Sequence, residues 1–239
     1  MKDIPVFSCP DGIATLILRE VPFRGEGYIL VRGVFGTLEG LLAECAGFCR
    51  AAGAERLFAA GEADFSGYPA AIRILGRSAP RESLLPAPEA VRLVPVTEET
   101  AADWAREYNA RFRAVPAAES CSPAEERALA AGGEALWIWD GAERIGLGRV
   151  RGGELLAVAA LLPGAGERCV RALAARCAGP EVRLTCAAEN ERAMRLYDRL
   201  GFSRGAEERV MSAPCGCMTG SAFPAARRSA CGFPFDTRI

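Results

Sequence analysis

Residues 184–202, which read LTCAAENERAMRLYDRLGF, decide the fold. A strand-like segment leads to Asn190, whose side chain can accept from the first-turn amides of a helix. The apolar stripe of that helix consists of Ala193, Leu196 and Leu200. Gly201 can adopt the left-handed conformation that ends a helix, and Phe202 can then fold back on Leu196 or Tyr197. The stretch therefore predicts a strand, a short capped helix and an abrupt helix end.

The second half of the chain predicts a mixed series of strands and helices around this stretch. A helix follows Thr97, and a second begins at the capping box that runs from Ser122 to Glu125. Further helices are predicted over 167–178 and 191–200. The predicted strands are 91–95, 135–140, 144–151, 154–162, 182–187 and 208–212.

The first half repeats part of this order. Strands are predicted over 4–8, 13–21, 28–35, 56–60 and 70–75, with a helix from Thr37 to Gly53. Residues 12–60 can be laid over 141–188 with a two-residue gap, which is a match of pattern and not of identity. An internal duplication explains this order, and so does the frequency of such orders among α/β chains. Both explanations stay open.

The quoted stretch resembles the last segment of the GNAT superfamily of acyl-CoA-dependent N-acetyltransferases, a strand followed by Asn-x-x-Ala-x-x-Leu-Tyr, a basic residue and Gly-Phe. The slots are filled by Asn190, Ala193, Leu196, Tyr197, Arg199, Gly201 and Phe202. The resemblance covers roughly residues 91–212. It implies an α/β fold of the α+β type, in which helices flank a splayed central mixed sheet.

The resemblance also implies a domain plan. Residues 1–78 are expected to form a smaller, partial GNAT-like domain without a cofactor site, followed by a Pro-containing linker at 79–90. The acetyltransferase domain takes residues 91–212. An irregular tail over 213–239 carries Cys215, Cys217 and Cys231.

Acetyl-CoA is the co-substrate that the resemblance implies, with its pantetheine arm paired to the strand that ends at Leu161 and Leu162. Its diphosphate is expected at the next helix N-terminus, because unpaired amides and the helix dipole favour anions there. The expected binding residues are Leu161, Leu162, Gly164, Ala165, Gly166, Glu167, Arg168, Cys169, Val170, Asn190, Ala193 and Arg199.

The phosphate loop departs from the family pattern of Arg/Gln-x-x-Gly-x-Gly/Ala. The slot for the leading Arg or Gln falls near Ala165, and the later glycine slots fall near Arg168 and Val170. A Pro-Gly-x-Gly turn still offers a nest of amides.

Tyr197 and Glu154 are the catalytic candidates. By resemblance, Tyr197 protonates the departing CoA thiolate, while backbone amides near Leu161 or Leu162 stabilise the oxyanion. Glu154, at the start of an apolar strand, is the candidate base that deprotonates the acceptor amine. The alternatives are a solvated strand-edge role for Glu154, with Glu189 as a weaker base. Asn190 and Tyr197 also suit plain roles as helix cap and core residue.

Composition narrows the chemistry. The 239 residues include no histidine and one lysine, Lys2, which excludes histidine-based hydrolases and makes Schiff-base catalysis improbable. The formal net charge is -1, so neither nucleic acid nor a membrane surface is an expected partner. No signal-peptide core is evident, and we expect a cytoplasmic protein.

Ten cysteines are present, and the tail cysteines lack the usual zinc spacing, so no metal site is expected. The expected function is transfer of an acetyl group to a primary amine of a small molecule, amino acid or peptide. The rival interpretation is a catalytically silent GNAT-like binding or assembly module. The acceptor and the oligomeric state, including a homodimer, stay open.

Overall fold

The computed structural model describes residues 1–214, which form two compact units. Unit 1 comprises Met1–Arg73 together with residues 209–214, and unit 2 comprises Ile74–Glu208. Almost all of the predicted irregular tail, with its three cysteines, lies outside the described residues.

Eleven strands and six α-helices make up the described part of the chain. The strands are β1 (Ile4–Cys9), β2 (Gly12–Ile17), β3 (Glu26–Val34), β4 (Arg56–Gly61), β5 (Ala70–Pro80), β6 (Val91–Pro95), β7 (Ala135–Asp140), β8 (Glu143–Arg151), β9 (Glu154–Ala160), β10 (Glu181–Ala187) and β11 (Ser203–Ser212). The helices are α1 (Val21–Arg24), α2 (Leu38–Ala51), α3 (Glu98–Phe112), α4 (Pro123–Gly132), α5 (Gly166–Arg176) and α6 (Glu191–Arg199), and a short 3-10 helix covers Arg81–Ser83. None of the described helices combines the length and apolar composition needed to cross a bilayer.

Unit 2 is a mixed sheet with helices on both faces. Strands β6 to β9 form antiparallel pairs in chain order, and β10 lies parallel to β9. Successive residues of a strand point to opposite faces. In β7, Leu136 and Ile138 join the core under α5 and α6, whereas Ala135 and Trp137 join the core under α3 and α4. The two helix pairs therefore cover opposite faces of the sheet.

Strand β5 is longer than the sequence indicates and completes unit 2. It is predicted over 70–75 but extends to Pro80, and seven of its residues pair antiparallel with β10, from Ile74 opposite Ala187 to Pro80 opposite Glu181. The edge of β10 requires a partner, and β5 supplies it. The division between the units therefore falls within β5, after Arg73, whereas the sequence predicts a first domain that ends at residue 78 and a linker over 79–90.

Unit 1 has a smaller sheet with the same order of hairpin, helix and parallel strand. Strands β1, β2 and β3 are antiparallel neighbours, and β4 lies parallel to β3. Ser212 of β11 pairs with Ala59 of β4. Helix α2 begins as predicted, because the Thr37 side chain accepts from the Gly40 amide at 3.1 Å.

The stretch over 184–202 has the predicted local structure. The Asn190 side chain accepts from the Ala193 amide at 3.3 Å and caps α6. Gly201 has a φ of 83°, and the Phe202 amide donates to the Tyr197 carbonyl at 3.0 Å. The ring of Phe202 packs edge-on against that of Tyr197, so the predicted helix end is confirmed.

Candidate functional site

The parallel strands β9 and β10 diverge soon after they begin. Within the described residues, their register is confined to Glu154 opposite Arg183, and the Arg183 amide donates to the Gly153 carbonyl at 2.9 Å. The outer edge of each strand remains paired, β9 with β8 and β10 with β5. The inner edges beyond this point therefore separate and open the sheet.

A cavity of about 500 Å³ lies along the part of β9 that has left β10, and this volume is within the size range of ligand sites. Its walls are the end of β9 with the following loop, the first turn of α5, one face of α6 and one residue of α3. The lining residues are Arg111, Val158, Ala160, Leu161, Leu162, Pro163, Gly164, Gly166, Glu167, Arg192, Ala193, Arg195, Leu196, Tyr197 and Arg199.

The backbone of β9 that faces this cavity belongs to Val158 and Ala160. Leu161 lies just beyond the strand, and its amide donates to the Ile145 carbonyl of β8 at 2.8 Å. Because hydrogen-bonding sides alternate along an antiparallel strand, the amides of Val158 and Ala160 point away from β8. The Leu161 amide, expected at the site, is therefore engaged within the sheet, and the amides of Val158 and Ala160 face the unpaired side of β9.

The loop and first turn of α5 contribute backbone and not the predicted basic side chain. Gly164, at φ 81°, lines the cavity with Gly166, and the first-turn amides have no intrahelical acceptor. The Arg168 guanidinium pairs instead with the Asp140 carboxylate of β7. The side chains of Ala165, Cys169 and Val170 are buried in the core under α5. Those four predicted binding residues therefore do not line the cavity with their side chains.

Helix α6 brings Tyr197 and Ala193 to the cavity wall. Tyr197 is 1% exposed and belongs to the same core as Phe202. Burial raises the pKa of the Tyr197 hydroxyl well above its ordinary value, so the phenol is protonated at neutral pH. Asn190, a predicted binding residue, does not line the cavity and acts as the cap of this helix.

Four arginines give the cavity lining its charge. Arg192, Arg195 and Arg199 lie on one face of α6, and Arg111 comes from α3. Of these four arginines, the GNAT-like motif in the sequence pointed only to Arg199. The spacing of three and four residues among the α6 arginines was the sequence signal for a basic stripe. No comparable signal pointed to Arg111.

Among the described residues, one carboxylate lines the cavity, that of Glu167 in the first turn of α5. Its Oε1 lies 2.6 Å from the Arg171 guanidinium, so an ion pair offsets its charge. The positive end of the helix dipole stabilises this carboxylate. The carboxylate also repels a second anion at the same helix N-terminus, which reduces the net attraction for a diphosphate.

Glu154 lies at the opposite end of β9 from the cavity. Val158 to Leu162 form the wall, and at about 3.3 Å per residue Glu154 is some 13 Å or more away along the strand. The structure therefore does not place Glu154 where a base is needed. Glu189, the weaker candidate, is exposed in the turn after β10 and is not part of the lining.

The corresponding place in unit 1 is built differently. Strands β3 and β4 pair at six successive positions, from Glu26 opposite Arg56 to Val31 opposite Gly61, and do not diverge over that length. At the start of α2, Asp11 Oδ1 accepts from the Thr37 amide at 2.7 Å. In unit 1, hydrogen bonds to β4 and to Asp11 therefore occupy backbone groups of the kind that are proposed to bind a ligand in unit 2.

Comparison with solved structures shows the fold at low sequence identity. The chain is similar to a proposed acetyltransferase from Pyrococcus horikoshii, with a TM-score of 0.55, 14% identity, and coverage of 89% of this chain and 70% of that one. It is similar to a functionally unknown conserved protein from Staphylococcus epidermidis, with a TM-score of 0.54, 12% identity and coverage of 87% and 93%. A GCN5-related N-acetyltransferase from Kribbella flavida gives a TM-score of 0.50 at 15% identity, covering 83% and 55%.

No family model and no curated protein sequence matches the chain. The predicted mixed sheet, splayed and flanked by helices, is confirmed by the strand pairing of unit 2 and by these structural neighbours. The chain therefore has the fold of the GNAT superfamily, the GCN5-related N-acetyltransferases.

Proposed function

We propose that unit 2 is an acetyl-CoA-dependent N-acetyltransferase that acts on a primary amine of a small molecule, amino acid or peptide. The observation that carries the proposal is the cavity beside the unpaired inner edge of β9, which a protonated tyrosine and a helix N-terminus both border. The acceptor is inferred only as a class.

The residues of the cavity fit acetyl-CoA. The inner edge of β9 at Val158 and Ala160 offers amide and carbonyl groups for an extended amide-bearing chain. The first-turn amides of α5 and the arginines of α6 favour phosphate groups. Acetyl-CoA supplies an activated thioester when bound.

Tyr197 has the general-acid role in this proposal. Its hydroxyl stays protonated at neutral pH and therefore has a proton to give to a departing sulfur. In the same proposal the Ala160 amide donates to the developing oxyanion, because the Leu161 amide already donates to β8. No base is assigned, since Glu167 is paired with Arg171 and Glu154 is remote.

The experiment combines calorimetric titration of acetyl-CoA with thiol release over a panel of amines. Tyr197→Phe is expected to lower kcat about 5- to 150-fold, equivalent to about 1–3 kcal/mol, with acetyl-CoA affinity almost unchanged. Tyr108→Phe is the matched control, because Tyr108 is also buried but stacks between Trp104 and Phe112 in α3. Equal loss in both variants, or parallel loss of binding and turnover in Tyr197→Phe, contradicts the acid role.

The second candidate is a binding module without catalysis. It is favoured by the pairing of the one lining carboxylate and by the near-complete burial of Tyr197. Acetyl-CoA binding without thiol release for any amine supports this candidate. Absence of acetyl-CoA binding refutes the enzyme proposal outright.

A further inference from the structure

A buried charge lies beneath helix α6. The side chain of Arg77, on β5, has 0% exposure, whereas the Asp198 side chain with which it pairs is 42% exposed. Arg77 Nη2 donates to Asp198 Oδ1 and, at 2.8 Å, to the Phe202 carbonyl. Its Nη1 contacts the Met194 sulfur at 3.5 Å. One guanidinium thus holds three points of α6 and its terminal turn.

These three points lie close to Tyr197 along the chain. Met194 and Asp198 are four residues apart and share a face of α6, and Phe202 follows the turn that ends the helix. Tyr197 is the chain neighbour of Asp198, its carbonyl accepts from the Phe202 amide, and its ring lies 5.5 Å from the Phe202 ring. Two of the three residues that Arg77 contacts, Asp198 and Phe202, therefore adjoin the proposed acid directly.

Stability alone does not explain an arginine at this place. Removing a guanidinium from water costs several kcal/mol, and an apolar replacement of a buried ion pair is often neutral or stabilising. Arg77 Nε has no hydrogen-bond partner among the described residues, so that cost is only partly offset. A buried charge of this kind is best attested where it defines one arrangement of the elements it joins.

Burial and two neighbouring groups shift the pKa of the Tyr197 hydroxyl. Burial has the largest effect on its pKa and raises it, and Cys186 of β10 also raises it. The positive charge of Arg77 lowers the pKa and so opposes both. The guanidinium is thus close enough to affect the proton that Tyr197 is proposed to transfer.

We infer that Arg77 is a positioning residue for the proposed reaction, which ties α6 to β5 through Asp198 and Phe202 and so sets the place of Tyr197 at the cavity. The inference rests on the proposed acetyltransferase function. Arg77 reaches the cavity only through α6 and does not line it.

The kinetic test uses Asp198→Asn and Arg77→Met, each in the wild-type and Tyr197→Phe backgrounds. In the wild-type background, kcat is expected to fall about 10-fold or more, as for misplacement of a catalytic group, while KM for acetyl-CoA changes less than about twofold. In the Tyr197→Phe background the same substitutions should change kcat less than about twofold, because groups that act together are not additive. Asp103→Asn, which breaks an exposed pair with Arg106 on α3, is the control.

Hydrogen exchange supplies a readout independent of turnover. The amides of α6 are expected to exchange faster in Asp198→Asn, with α3 unchanged. Equal kcat losses in both backgrounds, or unchanged exchange in α6, overturn the inference. If Arg77→Met does not fold, Asp198→Asn decides, because it alters the exposed partner. If the wild type releases no thiol, the proposed function fails, whereas the exchange result still decides whether Asp198 anchors α6.

Discussion

Reversal of one charge in the cavity lining tests whether the arginine stripe of α6 binds phosphate. Arg199 lies in the last turn of α6, is exposed and lines the cavity. Arg176 lies in the last turn of α5, is also exposed and is absent from the lining. Arg199→Glu and Arg176→Glu therefore make the same charge change at the same kind of helix position, which equalises the effect on the helix dipole.

The expected magnitude follows from the exposure of Arg199. In water, two unit charges about 5 Å apart interact by about 0.8 kcal/mol. Reversing one of them changes the interaction by about twice that amount, or about 1.7 kcal/mol for a singly charged phosphate. We therefore expect the Kd for acetyl-CoA to rise roughly 5- to 30-fold in Arg199→Glu and less than about twofold in Arg176→Glu.

Calorimetric titration at low and high salt checks the origin of this effect. The Debye length falls from about 10 Å at 0.1 M to about 3 Å at 1 M, so the difference between the variants should nearly vanish at high salt. Equal affinities at low salt would refute a phosphate role for the stripe. A difference that persists at 1 M salt would point to a local change in α6 instead of a charge effect.

Three further predictions concern stability. Gly148→Ala places a methyl group 2.3 Å from a leucine methyl of α5 and should lower the free energy of unfolding by about 1–3 kcal/mol. Gly47→Ala adds a methyl group in open space on α2 and should raise the free energy of unfolding by about 0.5–1 kcal/mol. Urea titration measures both changes. Two arginines lower the pKa of Glu134, so its contribution is present above the unfolded pKa and is lost as the pH falls through the lowered folded value. Glu134→Gln should thus reduce the urea midpoint at pH 7 but hardly at pH 2, and an equal reduction at both would contradict the ion-pair explanation. The fragment 91–208 lacks β5, the partner strand of β10, and should not fold, whereas the fragment 74–208 retains the paired part of β5 and should fold. Circular dichroism and size-exclusion chromatography compare the two fragments. A folded 91–208 would contradict the argument.

The local structure of α6 was predictable because its signals are close in sequence. The cap at Asn190, the apolar stripe and the turn at Gly201 each act within one or two helical turns. The capping box of α4 was predictable for the same reason, and both of its hydrogen bonds are present between Ser122 and Glu125.

The partners of strands were less predictable, because pairing joins distant parts of the chain. Nothing near residue 80 indicates that β5 extends to cover β10. The direction of the Leu161 amide depends on its register with β8, which no local pattern sets. Arg168 was expected at the phosphate, yet it meets Asp140 from a strand that lies two hairpins earlier. The far end of β9, where Glu154 lies, was likewise not distinguishable from the cavity end by composition.

The pairing of β5 with β10 has a consequence for synthesis on the ribosome. Seven residues of β5, 74–80, pair with residues that are translated roughly a hundred residues later, and at about 5–20 residues per second the delay is about 5–20 s. The delay is longer for unit 1, because Ala59 of β4 pairs with Ser212, which is translated later still. Neither unit can acquire its full set of strands while the nascent chain is short, so folding to completion is a late event that follows translation of almost all the described residues.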